Sequence, residues 1–82
     1  MTGSNIVHRY FKKELDGGTI LVRVNPVHLT GTELLVHPDG KVDRRELQFD
    51  EAIYADLATD DFKEASSLEF QLYASGLARP LD

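Results

Sequence analysis

The residues with the most suggestive chemistry lie close together near the start of the chain, at positions 8–13. On an extended strand, alternate side chains share a side, so His8, Tyr10 and Lys12 would project together. The following strand would add Arg23. This combination suits single-stranded nucleic acid, because aromatic rings stack on its bases and cations neutralise its phosphates. The candidate contact residues are Tyr10, Lys12, Lys13 and Arg23.

The same segment also fits a purely structural role. Strands favour aromatic residues, and edge strands carry lysine that discourages pairing with other chains. The chain has nine Lys and Arg residues against fourteen Asp and Glu residues, a formal net charge of −5, which argues against strong phosphate binding. Four of the nine cations but only two of the fourteen acids lie in residues 1–30. We therefore expect a local basic patch on an acidic body.

Metal binding has weak support in the sequence. The three histidines could hold zinc if they converged, but no two have the spacing of ligands on one element. A group of acids near residue 60 lacks the alternating acids and central glycine of a calcium loop, and it is typical of a solvated helix end. We expect no metal site from either group. The residues concerned are His8, His28, His37, Asp56, Asp60, Asp61 and Glu64.

Catalysis has even less support. The chain has no cysteine, and it contains none of the serine-hydrolase, zinc-protease or phosphate-loop motifs of common active sites. Gly17-Gly18 precedes a predicted strand, whereas glycines that bind phosphate precede a helix. A chain of 82 residues also leaves little room for a cleft of roughly 300–1,000 Å³, the usual size of a small-molecule site. We therefore expect a non-enzymatic protein with no cofactor and no small-molecule ligand.

Two strands must position the basic and aromatic residues. Residues Ile6–Leu15 alternate, Thr19–Val24 is rich in β-branched side chains, and the turn signal Asp16-Gly17-Gly18 lies between them. A two-residue loop within this turn places Phe11 and Val22 on the same side of the hairpin. One continuous helix is the competing interpretation, because apolar residues here also recur every four positions. The turn signal favours the hairpin.

A second hairpin is predicted after a connector at Val27–Gly31. Its strands are Thr32–His37 and Lys41–Phe49. Between them, His37-Pro38-Asp39-Gly40 has the residue order of a type I turn, with proline second and glycine fourth.

Two short helices are predicted after the strands. Asp50 is the N-cap of a helix over residues 51–59, since its carboxylate can accept hydrogen bonds from the first-turn amides. Residues 66–69, Ser-Ser-Leu-Glu, have the order of a capping box and predict a second helix over residues 67–75. Residues 68–74 also alternate as a strand would. The capping box is a helix-start signal, and a glycine at the far end of the segment is a helix-stop signal. Because both are present, the helix is favoured.

Together these elements predict an α+β fold. It has a small antiparallel sheet of four strands in two consecutive hairpins, followed by one or two short C-terminal helices packed on one face. The single domain covers residues 6–77, with a flexible N-terminus at residues 1–5 and a C-terminal tail at residues 78–82. The other face of the sheet is expected to stay open to solvent or to a partner.

An open face and unplaced apolar residues favour association with protein. We expect a protein–protein interaction module that binds another protein or forms a homodimer, with single-stranded nucleic acid as the alternative partner. No apolar run approaches the ~20 residues that span a bilayer, so we expect no membrane partner. The lack of cysteine is typical of a cytoplasmic protein. The sequence pattern does not assign five apolar residues to the core: Tyr10, Leu29, Leu35, Tyr73 and Leu77.

Overall fold

The computed structural model describes residues 7–75 and confirms the α+β class. It has five strands and two helices within that range. The expected flexible N-terminus and C-terminal tail lie outside the described residues. The elements are β1 (Arg9–Leu15), β2 (Gly18–Asn25), β3 (Thr30–Val36), β4 (Val42–Gln48), α1 (Ile53–Thr59), β5 (Lys63–Glu64) and α2 (Ser67–Ala74).

The strands form one antiparallel sheet in the order β4-β3-β2-β1-β5. The first predicted hairpin is confirmed, because Phe11 lies opposite Val22 and Leu15 lies opposite Gly18. The loop is therefore the two residues between Leu15 and Gly18. Gly18 has a φ of +146°, and a Cβ there would meet the carbonyl oxygen of Val36. Glycine is required at this position for both reasons.

The link between β2 and β3 is tighter than the predicted connector. The Oδ1 atom of Asn25 accepts hydrogen bonds from the amides of Val27 and His28, at 2.9 and 3.1 Å. Leu29 takes a φ of 55°, and its amide donates to the carbonyl of Asn25 at 2.8 Å. Asparagine side chains commonly organise turns in this way. The two predicted hairpins are therefore joined into a four-stranded meander.

The first helix covers one side of the sheet, here called the α1 face. Its buried Ile53 and Leu57 pack with Phe11, Val22 and Val24. The helix begins later than predicted, at Ile53 instead of residue 51, because residues 51–52 form a turn. Within that turn the Oδ1 atom of Asp50 accepts a hydrogen bond from the amide of Ala52 at 2.9 Å. The Asp50 carboxylate thus organises the entry to α1 without being its N-cap.

The second helix covers the opposite side, here called the α2 face. Phe70 is fully buried there with Leu21, Leu34 and Val36. The predicted cap is confirmed, since the Ser66 hydroxyl accepts a hydrogen bond from the Glu69 amide at 3.1 Å. Residues 67–74 therefore form a helix and not the alternative strand.

The prediction that the helices share one face is wrong, because β5 carries the chain around the edge of the sheet. After α1, Lys63 pairs with Lys12 and Glu64 pairs with Phe11 on the outer edge of β1. The amide of Ala65 then donates to the carbonyl of Tyr10 at 2.8 Å. From this edge the chain reaches the face opposite to α1, so each face of the sheet receives one helix.

Candidate binding surfaces

The four predicted contact residues are divided between the two faces. Tyr10, Lys12 and Arg23 share the α2 face, as predicted, whereas Lys13 lies on the α1 face. Helix α2 lies over β1, β2 and β3, so this side is not the open sheet expected from the sequence. The ring of Tyr10 contacts that of Phe70, with centroids 5.5 Å apart. That contact occupies the ring expected to stack on a base.

The lysines lie around the β1–β5 edge. The Nζ atom of Lys12 is 3.3 Å from the Oε1 atom of Glu69, and Lys12 also lies directly opposite Lys63. Lys13 points the other way, with its Nζ atom 6.0 Å from the Phe62 ring centroid. An open cleft of about 490 Å³ is lined by these three lysines together with Glu14 and Asp61. Its positive charge is therefore offset by nearby acids.

A row of polar residues crosses the α2 face. Arg23, Thr32 and Glu46 are direct neighbours on β2, β3 and β4. The Nη2 atom of Arg23 donates to the Thr32 hydroxyl at 3.3 Å, and that hydroxyl donates to the Oε1 atom of Glu46 at 2.9 Å. Thr32 is only 1% exposed, so its hydroxyl needs the two partners that it has.

The carboxylate of Glu46 is held in its ionised form. The Arg44 Nε atom donates a hydrogen bond to its Oε2 atom at 2.9 Å. This hydrogen bond, and next the one from Thr32, lower the pKa of Glu46 below its ordinary value of 4.5. The positive charges of Arg44 and Arg23 act in the same direction. Glu46 is therefore an anion at neutral pH, close to the cation of Arg23.

The polar row forms one wall of an open cleft of about 340 Å³. The cleft lies at the end of the sheet beside the β2–β3 loop. Its side chains on the α2 face are polar, in contrast to the apolar residues under α2. The sequence does not predict this cleft, because its residues come from separate strands and are brought together only by the register of the sheet. The polar residues that line the cleft include His8, Arg23, Asn25, Thr30, Glu46 and Gln48.

Helix α2 carries large apolar residues on both of its sides. Phe70, Tyr73 and Ala74 pack toward the sheet. Leu68 and Leu72 point outward, and they are 67% and 38% exposed. They are four residues apart, so they lie next to each other on the helix surface. The sheet uses only one side of this helix.

The histidines are dispersed across the structure. The Nε2 atom of His37 lies 2.7 Å from the Oδ2 atom of Asp43, at the β3–β4 hairpin. His28 is exposed in the β2–β3 loop, and His8 lines the cleft. Across residues 7–75, no three His, Asp or Glu side chains are grouped in a way that could hold a metal ion.

Comparisons with known proteins give no relative from which to infer a role. The chain matches no protein-family model, no curated protein and no solved structure. Neither helix of the described range has the length and apolar character needed to cross a bilayer.

Proposed function

We propose that this chain is a small, non-enzymatic protein-interaction module that self-associates through the outer side of α2. Leu68 and Leu72 would pack against the same two residues of a second copy. The observation that supports this proposal is the two-sided apolar character of α2, because the sheet covers only Phe70 and its neighbours. Exposed apolar residues that adjoin each other are typical of association surfaces.

A second copy suits this surface because its exposed residues are uncharged. The acid of α2, Glu69, is paired with Lys12 at 3.3 Å and lies toward the sheet. Two chains of net charge −5 repel at long range, but salt screens that repulsion beyond about 8 Å at physiological ionic strength. The contact itself brings no like charges together. The exposed residues of α2 and its C-cap are Ser67, Leu68, Gln71, Leu72 and Ser75.

The leucine pair is also compatible with two-fold symmetry. In an antiparallel pair of helices, Leu68 of one copy lies beside Leu72 of the other, and the reverse contact follows by symmetry. Ridges of residues four apart pack into the matching grooves of a neighbouring helix. The same two leucines thus supply both halves of the contact.

The expected association is weak. A helix of eight residues is about 12 Å long, so the contact is smaller than the roughly 800 Å² per partner of a standard interface. Burial of a leucine contributes about 1.5–3 kcal/mol, whereas association costs at least about 4 kcal/mol in lost freedom. The four leucines of a symmetric pair therefore leave at most about 8 kcal/mol after this cost. We expect a dissociation constant on the order of 0.1–1 mM, which corresponds to about 4–5.5 kcal/mol.

Sedimentation equilibrium tests the proposal. The average mass should rise from 9.2 kDa toward twice that value as the protein concentration approaches about 1 mM. Leu68→Glu and Leu72→Glu should abolish the rise, because each places a charge in an apolar contact. Above physiological ionic strength, where the repulsion between the two net charges is already screened, the rise should be insensitive to added salt.

Two matched controls identify the surface. Val27 is 64% exposed in the β2–β3 loop, close to the exposure of Leu68, and Leu15 is 43% exposed at the first hairpin, close to that of Leu72. Val27→Glu and Leu15→Glu should leave the rise in mass unchanged. A wild-type protein that stays at 9.2 kDa throughout the series, or controls that abolish association equally, would overturn the proposal.

A further inference from the structure

We propose that the cleft beside the β2–β3 loop binds a small zwitterion of the free α-amino acid class. The ligand carboxylate would contact Arg23, and the ligand ammonium group would contact Glu46. This site is separate from the outer side of α2 and does not depend on self-association. The proposal follows from two fixed charges of opposite sign, both lining the same cleft.

The spacing of the two charges suits a small zwitterion. One hydroxyl joins them: Thr32 accepts from Arg23 at 3.3 Å and donates to Glu46 at 2.9 Å. The carboxylate and ammonium groups of an α-amino acid are also close together, because a single carbon atom links them. A molecule of this kind could contact both side chains at once.

Arg23 has spare donors for a carboxylate. Its guanidinium group carries five N–H donors, and within residues 7–75 only the bond to Thr32 uses one of them. The central carbon of the group lies 5.1 Å from the centroid of the Phe70 ring, which fixes its position. A fixed guanidinium group is well suited to bind a carboxylate through two parallel hydrogen bonds.

Glu46 is similarly fixed and has spare acceptor capacity. Each of its oxygens accepts one hydrogen bond, from Thr32 and from Arg44. A carboxylate offers about four lone-pair sites, so an ammonium group can still be accepted. The two side chains do not form a direct ion pair with each other in the described structure, because Glu46 pairs with Arg44.

A zwitterion satisfies both charges, whereas a singly charged ligand does not. A simple anion at Arg23 would approach the Glu46 carboxylate, and a simple cation at Glu46 would approach both Arg23 and Arg44. The volume of about 340 Å³ is at the small end of the usual range for ligand sites. The remaining polar walls favour a ligand with a polar side chain. Those wall residues are His8, Asn25, Thr30 and Gln48.

Titration with L-glutamine, followed by amide chemical shifts of the full chain, tests the proposal. Saturable shifts are expected at Arg23, Thr32 and Glu46. N-acetyl-L-glutamine lacks the ammonium charge and L-glutaminamide lacks the carboxylate, so each should bind at least about tenfold more weakly. These comparisons use the unmodified protein, so they do not depend on how any variant folds.

Matched variants assign the two ends of the ligand. Arg23→Gln and Glu46→Gln should each weaken L-glutamine binding at least about tenfold. Arg45→Gln is the control, since Arg45 pairs with Glu33 at 2.8 Å on the opposite face, and it should leave binding unchanged. Leu68→Glu should also leave binding unchanged, which separates this site from the association surface. Non-saturable shifts, or either derivative binding as tightly as L-glutamine, would overturn the proposal.

Discussion

The guanidinium group of Arg23 lies over the ring of Phe70, with its central carbon 5.1 Å from the ring centroid. Phe70 is the main buried anchor of α2, and Arg23 belongs to the polar row that lines the cleft. A cation over an aromatic ring contributes about 0.5–2 kcal/mol, more as the pair loses solvent. This contact therefore joins the α2 core to the proposed ligand site.

Phe70→Ala should destabilise the protein by about 3–5 kcal/mol, because it leaves a cavity under α2 and removes its contacts with Tyr10 and Arg23. A domain of this size has a total stability of roughly 4–12 kcal/mol, so the loss is large. Urea denaturation followed by circular dichroism measures it. Gln71→Ala, at an exposed position of the same helix, should change the unfolding free energy by less than about 0.5 kcal/mol. Equal effects of the two substitutions would contradict the packing of α2 described here.

Ser66→Ala should lower the unfolding free energy by about 1 kcal/mol. The Ser66 hydroxyl accepts from the amide of Glu69 at 3.1 Å, and its loss leaves a first-turn amide without that partner. Ser67→Ala is the matched control, because Ser67 is already inside the helix, where alanine is favoured. Thermal unfolding should therefore show a lower midpoint for Ser66→Ala alone.

Local signals predicted the local structure well. The turn after Leu15, the turn at His37 and the cap at Ser66 each depend on a few adjacent residues, and each is confirmed. The placement of the helices could not be predicted in the same way. It depends on Lys63 and Glu64 adding a two-residue strand to β1, a long-range pairing with no periodic pattern of its own.

The cleft could not be predicted from local sequence signals either, because it also depends on long-range strand pairing. The sequence points to Arg23 because it lies beside aromatic and basic neighbours on the first hairpin. Its partners Thr32 and Glu46 come from the next two strands, and their alignment depends on the four-residue loop between β2 and β3. The left-handed conformation of Leu29 in that loop is uncommon for a leucine, so the sequence did not predict the register.

Gly31→Ala should destabilise the protein by about 1–3 kcal/mol, as overpacking usually does. A Cβ at Gly31 would collide with the carbonyl oxygen of Arg23 and with the ring of Phe49, and the backbone oxygen cannot easily move. Gly17→Ala provides the control, because a Cβ there meets nothing within 4 Å. Its unfolding midpoint in urea should stay near or slightly above that of the wild type. A neutral Gly31→Ala variant would mean that β2 and β3 pack less closely at this point.

Glu46 should stabilise the fold in a pH-dependent way. Its pKa in the folded protein is lowered below 4.5, mainly by the hydrogen bond from Arg44 and next by that from Thr32. The stabilisation is therefore fully present above the ordinary pKa and is lost as the pH falls through the folded-state pKa. The stability difference between wild type and Glu46→Gln should be largest near neutral pH and should shrink below about pH 4.5.

The cause of this shift can be measured directly from the carboxyl carbon resonance of Glu46 during a pH titration. Arg44→Gln should raise the pKa of Glu46 toward its ordinary value, and Thr32→Val should raise it by a smaller amount, because the Arg44 hydrogen bond has the larger effect. Arg45→Gln also removes a cation from β4, but Arg45 pairs with Glu33 on the α1 face. If Arg45→Gln raised the pKa of Glu46 as much as Arg44→Gln, the effect would come from the overall charge of the strand and not from the hydrogen bond.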